Sequence, residues 1–171
     1  MKRKMIVLFA AIFASLLAVP VLADPVYSSY YDFYAGQTID VGDIGVGNDA
    51  TNLYIHIAIA PSWQITESHV AVAMDLSGIP QTKSGNPKVG KFPYKGLETF
   101  TIELSEIGAE AGDTLIIAVH SVVKGIGENC GQQETAWGTY CRIGNPDNNP
   151  PTAGDFPGNN WATYLIYIVT A

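Results

Sequence analysis

The chain is short of positive charge, of cysteine and of helical periodicity, and each shortage excludes a class of protein. Lys and Arg number 9 against 16 Asp and Glu, and three of those cations, Lys2, Arg3 and Lys4, fall at the start. So few cations cannot displace counterions from nucleic-acid phosphates, and an anionic membrane surface repels the chain as well. Cysteine occurs only at Cys130 and Cys141. Two thiolates are half of what a structural zinc ion takes. No apolar run after residue 23 is long enough to cross a bilayer. There is no Gly-x-Ser-x-Gly elbow, and no serine carries a local signature marking a histidine and an acid as its partners.

What the sequence does have begins with "MKRKMIVLFAAIFASLLAVPVLADP". Three basic residues precede an apolar stretch from Met5 to Leu17, and Val21-Leu22-Ala23 puts small residues where a signal peptidase reads them. A signal peptide over 1–23 is expected, and Pro20 argues against the rival reading of an uncleaved anchor. The product is an exported protein, secreted or periplasmic, of about 148 residues, a length that suits one domain. Loss of the three leader cations takes its net charge from −7 to about −10. In an oxidising compartment Cys130 and Cys141 are expected to form a disulfide, worth roughly 2–3 kcal/mol for so short a loop.

Alternation of period two dominates the rest. "NLYIHIAIA" sets Leu53, Ile55, Ile57 and Ile59 on one face, and "ESHVAVAMD" does the same with Val70, Val72 and Met74. "ETFTIEL" alternates Phe100, Ile102 and Leu104 against threonines and glutamate. "DTLIIAVHSVV" and "NWATYLIYIV" are apolar almost without interruption, as strands covered on both faces are. Turn signals such as Ser84-Gly85-Asn86-Pro87 and Ala111-Gly112-Asp113 separate them. The pattern predicts an all-β protein, an antiparallel β-sandwich of immunoglobulin-like or jelly-roll-like kind. One domain is expected over 37–171, preceded by a tyrosine-rich, loosely attached segment at 24–36.

Four stretches, "WQITESHVAVAMDLSGIPQTKSGNPKVGKFPYK", "IIAVHSVV", "ETAWG" and "FPGNNWATYLIY", together resemble a β-sandwich module of secreted and cell-surface bacterial and archaeal proteins. The resemblance spans roughly residues 35–169. It implies fold and location, and brings no catalytic residue with it. In that module's multidomain setting it stands beside immunoglobulin-like repeats or anchor segments, which are not expected here. A shorter likeness, "FYAGQTIDVGDI", resembles matrix-fibre proteins whose N-terminal strand completes a neighbour's sheet.

Chemistry-bearing residues are sparse. Glu67, His69, His120 and Glu134 are candidates to converge, as a hydrogen-bonded group or as ligands of Zn2+, for which imidazole and carboxylate are suitable donors. Their spacing is not diagnostic, and a histidine bridging strands through a carboxylate serves a structural purpose equally well. Asp147, Asn148, Asn149 and Asp155 offer hard oxygen donors to Ca2+ on one loop, without the spacing of a helix-loop-helix site and among prolines that suit a plain surface loop. Glu98, Glu103 and Glu134 are available as paired acids, but nothing in the sequence gives their separation.

Aromatic residues carry more. Trp63, Trp137 and Trp161, with Phe92, Tyr94, Tyr140 and Phe156, fall in or beside expected loops, where planar rings can stack on sugars or anchor a protein contact. Trp161 reads as a core residue, while Trp63 and Trp137 are candidate ligand surfaces. "IPQTKSGNPKVGKFPYK", residues 79–95, concentrates Lys83, Lys88, Lys91 and Lys95 in a loop stiffened by Pro80, Pro87 and Pro93. A solvated loop is one reading. A basic patch meeting an acidic face of another copy or a surface polymer is the other. The sequence thus points to a non-enzymatic extracellular protein for binding, adhesion or matrix and fibre assembly. Its alternatives are a carbohydrate-binding module acting through Trp63, Trp137 and Tyr94, and a metal-dependent hydrolase built on the histidine group. The expected partner is a cell-surface polysaccharide, a protein or a second copy, with no nucleic acid and no membrane span.

Overall fold

The computed structural model describes residues 25–139 and 153–171. The expected signal peptide, Tyr140, Asp147 and Cys141, and with Cys141 the expected disulfide, lie outside them. Among the described residues no helix is long and apolar enough to cross a membrane.

The fold is antiparallel β throughout. In chain order the strands are β1 (Ser29–Ala35), β2 (Ile39–Asn48), β3 (Asn52–Ile59), β4 (Trp63–Ala73), β5 (Tyr94–Gly96), β6 (Thr99–Glu103), β7 (Thr114–Gly125), β8 (Gln133–Thr139), β9 (Ala153–Asp155) and β10 (Thr163–Ile168). A single helical turn, α1 (Leu104–Ile107), follows β6 and stops at Gly108, which takes the left-handed conformation (φ 75°) common at helix ends.

Hydrogen bonding runs without a break in the order β5-β4-β7-β8-β1-β2-β3-β6. Where the pattern predicts two stacked sheets, one sheet coils into a nearly closed barrel. Its two end strands, β5 and β6, are consecutive in the chain and joined by Leu97-Glu98. The carbonyl of Glu98 accepts from the Ile57 amide at 2.8 Å, tying that link onto β3. Strand β7 is the hub. One edge pairs with β4 from Ile116 to Gly125; the other pairs with β10 over Thr114–Ile117 and with β8 over His120–Lys124.

The alternation seen in the sequence places the core. Leu53, Ile55 and Ile57 of β3 and Leu115, Ile117 and Val119 of β7 point inward and are fully buried. Each such side chain contributes roughly 1.5–3 kcal/mol relative to exposure. A bulge between Ile65 and Glu67 switches the parity of β4. Trp63 and Ile65 before it, and Val70 after it, belong to the interior. Glu67, His69 and Ala71 are thereby turned outward. The tyrosine-rich segment supplies β1, which lies between β2 and β8 with Tyr31, Phe33 and Ala35 buried.

Outside the barrel lies a second, smaller core. Ala71 and Ala118 face each other across β4 and β7, and their small side chains leave room for Ile79, Phe92, Trp137 and Phe156. The segment 76–93 forms a strap over this face, with Ile79 and Phe92 each 1% exposed at its two ends. Within the strap Lys88 N donates to Pro80 O at 2.8 Å and Thr82 N to Asn86 O at 2.8 Å. Segment 156–162 fits against it so closely that a Cβ on Gly85 would lie 2.6 Å from Pro157 Cγ, and one on Gly158 would meet the Asn86 side chain. Both sites therefore require glycine.

Candidate functional site

The outer face carries a line of rings. His69 and His120 are cross-strand neighbours with centroids 6.4 Å apart. His120 meets Trp137 at 4.8 Å, Trp137 meets Phe92 at 6.4 Å and Phe156 at 6.1 Å, and Phe156 meets Tyr164 at 5.4 Å. Most of these contacts are edge-to-face or tilted, the geometry that brings a ring's positive edge to its neighbour's negative face. The line leads into a cavity of about 330 Å3, near the lower bound for small-molecule sites.

Four elements build that cavity. β8 supplies Trp137 and Thr139, and β1 with its following turn supplies Tyr34 and Gln37. β9 and the segment after it supply Asp155, Phe156, Asn160 and Trp161, while β10 supplies Thr163. Rings form the walls, and hydroxyl, amide and carboxylate groups are set among them. One detail marks the cavity as more than a packing fault. Thr139, only 5% exposed, has its hydroxyl buried without a hydrogen-bond partner among the described residues. Such orphans are rare in native proteins and call for an explanation. Gln37 also holds φ at +75°, the sole described non-glycine residue in the left-handed region. The hairpin between β1 and β2 accounts for this: Gly36 before it also has positive φ (53°) and Thr38 N donates to Ala35 O at 3.2 Å, a turn that takes two left-handed residues in succession.

Other polar groups of the cavity are fixed rather than mobile. Thr163 Oγ1 donates to Gly138 O at 2.7 Å, and Asn160 Oδ1 accepts from Ala162 N at 3.4 Å. Asp155 is the one described carboxylate lining the cavity, and no described histidine, lysine or cysteine joins it.

The histidine group assembles only in part. Glu67 Oε1 accepts from His69 Nε2 at 2.5 Å, and this bond, with the charge of His69, pulls the Glu67 carboxyl below its ordinary range. Burial, then the neighbouring His69, pushes His120 down to about 4, so it is neutral at physiological pH. Glu134 does not join them, which corrects the expected four-residue group. Trp137 is in register with His120 while Glu134 pairs with Val123, and three residues along a strand reverse the face. Among the described residues no three His, Cys, Asp or Glu side chains are grouped to hold a metal ion.

The tryptophans exchange their expected places. Trp63, read as a candidate ligand surface, is 4% exposed inside the barrel. Trp161, read as core, is half-buried against the second core and lines the cavity. Trp137 packs with the second core and presents a part to the cavity. Tyr94 is half-buried away from it, its hydroxyl donating to Glu106 Oε2 at 3.3 Å. Lys83, Lys88, Lys91 and Lys95 are all exposed. Asp155, considered as a calcium donor, lies in the cavity wall. Sequence reading missed Tyr34, Gln37, Thr139, Asn160 and Thr163, and the available signal was "FPGNNW", an aromatic pair enclosing glycine and amides just before a strand. No protein-family model, curated protein or solved structure matches the chain, so the cavity's own geometry carries its functional reading.

Proposed function

We propose that this is an exported, non-enzymatic binding protein whose cavity holds a sugar unit of an extracellular glycan. The observation that carries the reading is the pairing of ring walls (Tyr34, Trp137, Phe156, Trp161) with hydroxyl, amide and carboxylate groups around one small cavity. A pyranose has an apolar face and a rim of hydroxyls that both donate and accept. Trp161 offers the plane for the first; Asp155, Asn160, Gln37 and the orphan Thr139 hydroxyl suit the second. The leader-like 1–23 stretch and the acidic composition support an extracellular setting. The likeness to secreted β-sandwich modules supports reading the two sides of the coiled sheet as sandwich layers. Adhesion through the cavity also demands less than fibre assembly by strand donation. β1 is already paired on both edges within its own chain, so donation requires that slot to be opened first.

The test is a glycan array followed by titration calorimetry on the exported form. Trp161→Ala is expected to weaken glycan binding about tenfold or more while leaving the fold intact, with only a modest fall in melting temperature from the packing it gives the second core. An array without hits, or binding indifferent to that substitution, overturns the reading.

A further inference from the structure

Charge on this molecule is segregated in a way the cavity alone does not use. Of the five lysines among the described residues, Lys83, Lys88, Lys91 and Lys95 fall within the strap and β5, and only Lys124 lies elsewhere. Carboxylates outnumber cations across the chain, yet none of these four lysines makes an ion pair among the described residues; the ion pair that is present joins His69 and Glu67. They are not on a loose loop. Lys83 sits in a tight turn closed by Gly85 N donating to Thr82 O at 3.0 Å, and Lys91 ends a short turn in which its amide donates to Lys88 O at 2.8 Å. Lys95 is held on β5 opposite His69. Buried Ile79 and Phe92 fix the strap at both ends. Four cations on an ordered scaffold meet a polyanion without the added cost of ordering the backbone that carries them.

The strap also touches the cavity. Its Gly85 packs on Pro157 and Gly158, its Asn86 on Gly158, and Gly158 lines the cavity. Lys83 lies two residues before Gly85, in the turn that packs on this segment, and Lys88, Lys91 and Lys95 follow along the chain to β5. We propose that the glycan is acidic: a neutral sugar unit occupies the cavity, and uronate or sulfate groups on the following units lie along the strap lysines. This rests on the cavity reading above. Asp155 sets the order of units, because a carboxylate in the cavity wall repels an acidic sugar there and favours hydroxyls.

The experiment titrates the exported protein with a panel of uronate-bearing and sulfated polysaccharides and with the same polymers after carboxyl reduction or desulfation. The expected result is binding about tenfold tighter to an acidic polymer than to its neutral counterpart at low ionic strength, with the gap shrinking as salt approaches about 0.5 M. The variant K83Q/K88Q/K91Q/K95Q is expected to erase the gap and keep the affinity for the neutral form. Trp161→Ala should weaken both forms alike. Equal binding of the two forms overturns this inference and leaves the cavity reading standing. Binding of neither form, or binding indifferent to Trp161→Ala, overturns the cavity reading and this inference with it. Polyglutamate competing as well as the acidic polymers overturns the glycan in favour of an acidic protein partner.

Discussion

The molecule has two cores, and they are made differently. The one inside the barrel is built by strands: Phe33, Ile44, Leu53, Ile55, Ile57, Ile117 and Leu165 come from five strands and are fully buried. The one outside is built largely by irregular chain laid over a sheet, with Ile79 and Phe92 from the strap and Phe156 and Ala162 from the segment before β10. Inside, aliphatic side chains predominate, with Tyr31, Phe33, Trp63, Phe100 and Tyr167 packed among them. Outside, Ala71 and Ala118 keep the floor low, rings stand on it, and polar groups intrude. Aliphatic packing needs no partner beyond volume, whereas rings and polar groups impose direction. The cavity lies at the margin of the second kind of core, where chain segments rather than strands decide what is exposed.

The largest effect that separates the two cores is a cavity mutation inside. Ile57→Ala is expected to cost about 4 kcal/mol of unfolding free energy and to destabilise every strand together, read by urea denaturation. A smaller, local loss is expected outside. Phe92→Ala should cost about 3 kcal/mol at most, because the strap can lift without opening the barrel. Hydrogen exchange should then accelerate at the Thr82, Lys88 and Phe92 amides while those of β3 and β7 stay protected. Equal acceleration in β3 would show that the cores are one cooperative unit.

The smallest effect is a pH dependence confined to the outer core. His120 is held down to about 4 against an ordinary 6.5 by burial and by His69, opposed by the Glu67 carboxylate. The unfolded chain therefore binds the proton first as pH falls. Stability is full above pH 6.5 and is lost progressively between 6.5 and 4, by ~1–2 kcal/mol at pH 5. His120→Asn should flatten the melting temperature over that window. An unchanged slope would place the titration elsewhere.

Much of the interior was legible beforehand. β3, β4, β6, β7 and β10 each show their alternation or apolar continuity in the chain; β7 is covered along most of both faces as that continuity implies, whereas β10 leaves Ile168 61% exposed on its outer face. The bulge after Ile65 was not, since one extra residue in a strand leaves no mark in a period-two pattern. It is the bulge that lets Trp63 and His69, six positions apart, point to opposite faces. β1 was overlooked because its tyrosines drew attention from the inward series Tyr31, Phe33 and Ala35. The candidate site was legible only as ingredients. Trp137, Phe156, Trp161 and Asp155 were singled out, but as a loose set with Trp63 among them.

Local alternation of side chains determined, by itself, that this chain is β and which residues of its regular strands, such as β3 and β6, face inward, because burial follows the two-residue repeat of an extended backbone. Which strands meet was decided by the tertiary structure, as was the near closure of the sheet through a two-residue link and the exchange of roles between Trp63 and Trp161. Those outcomes depend on segments distant in sequence, a strap from 76–93 and a return from 156–162, packing over one face. Exposure of a ring is a property of what lies above it, and no local pattern records that.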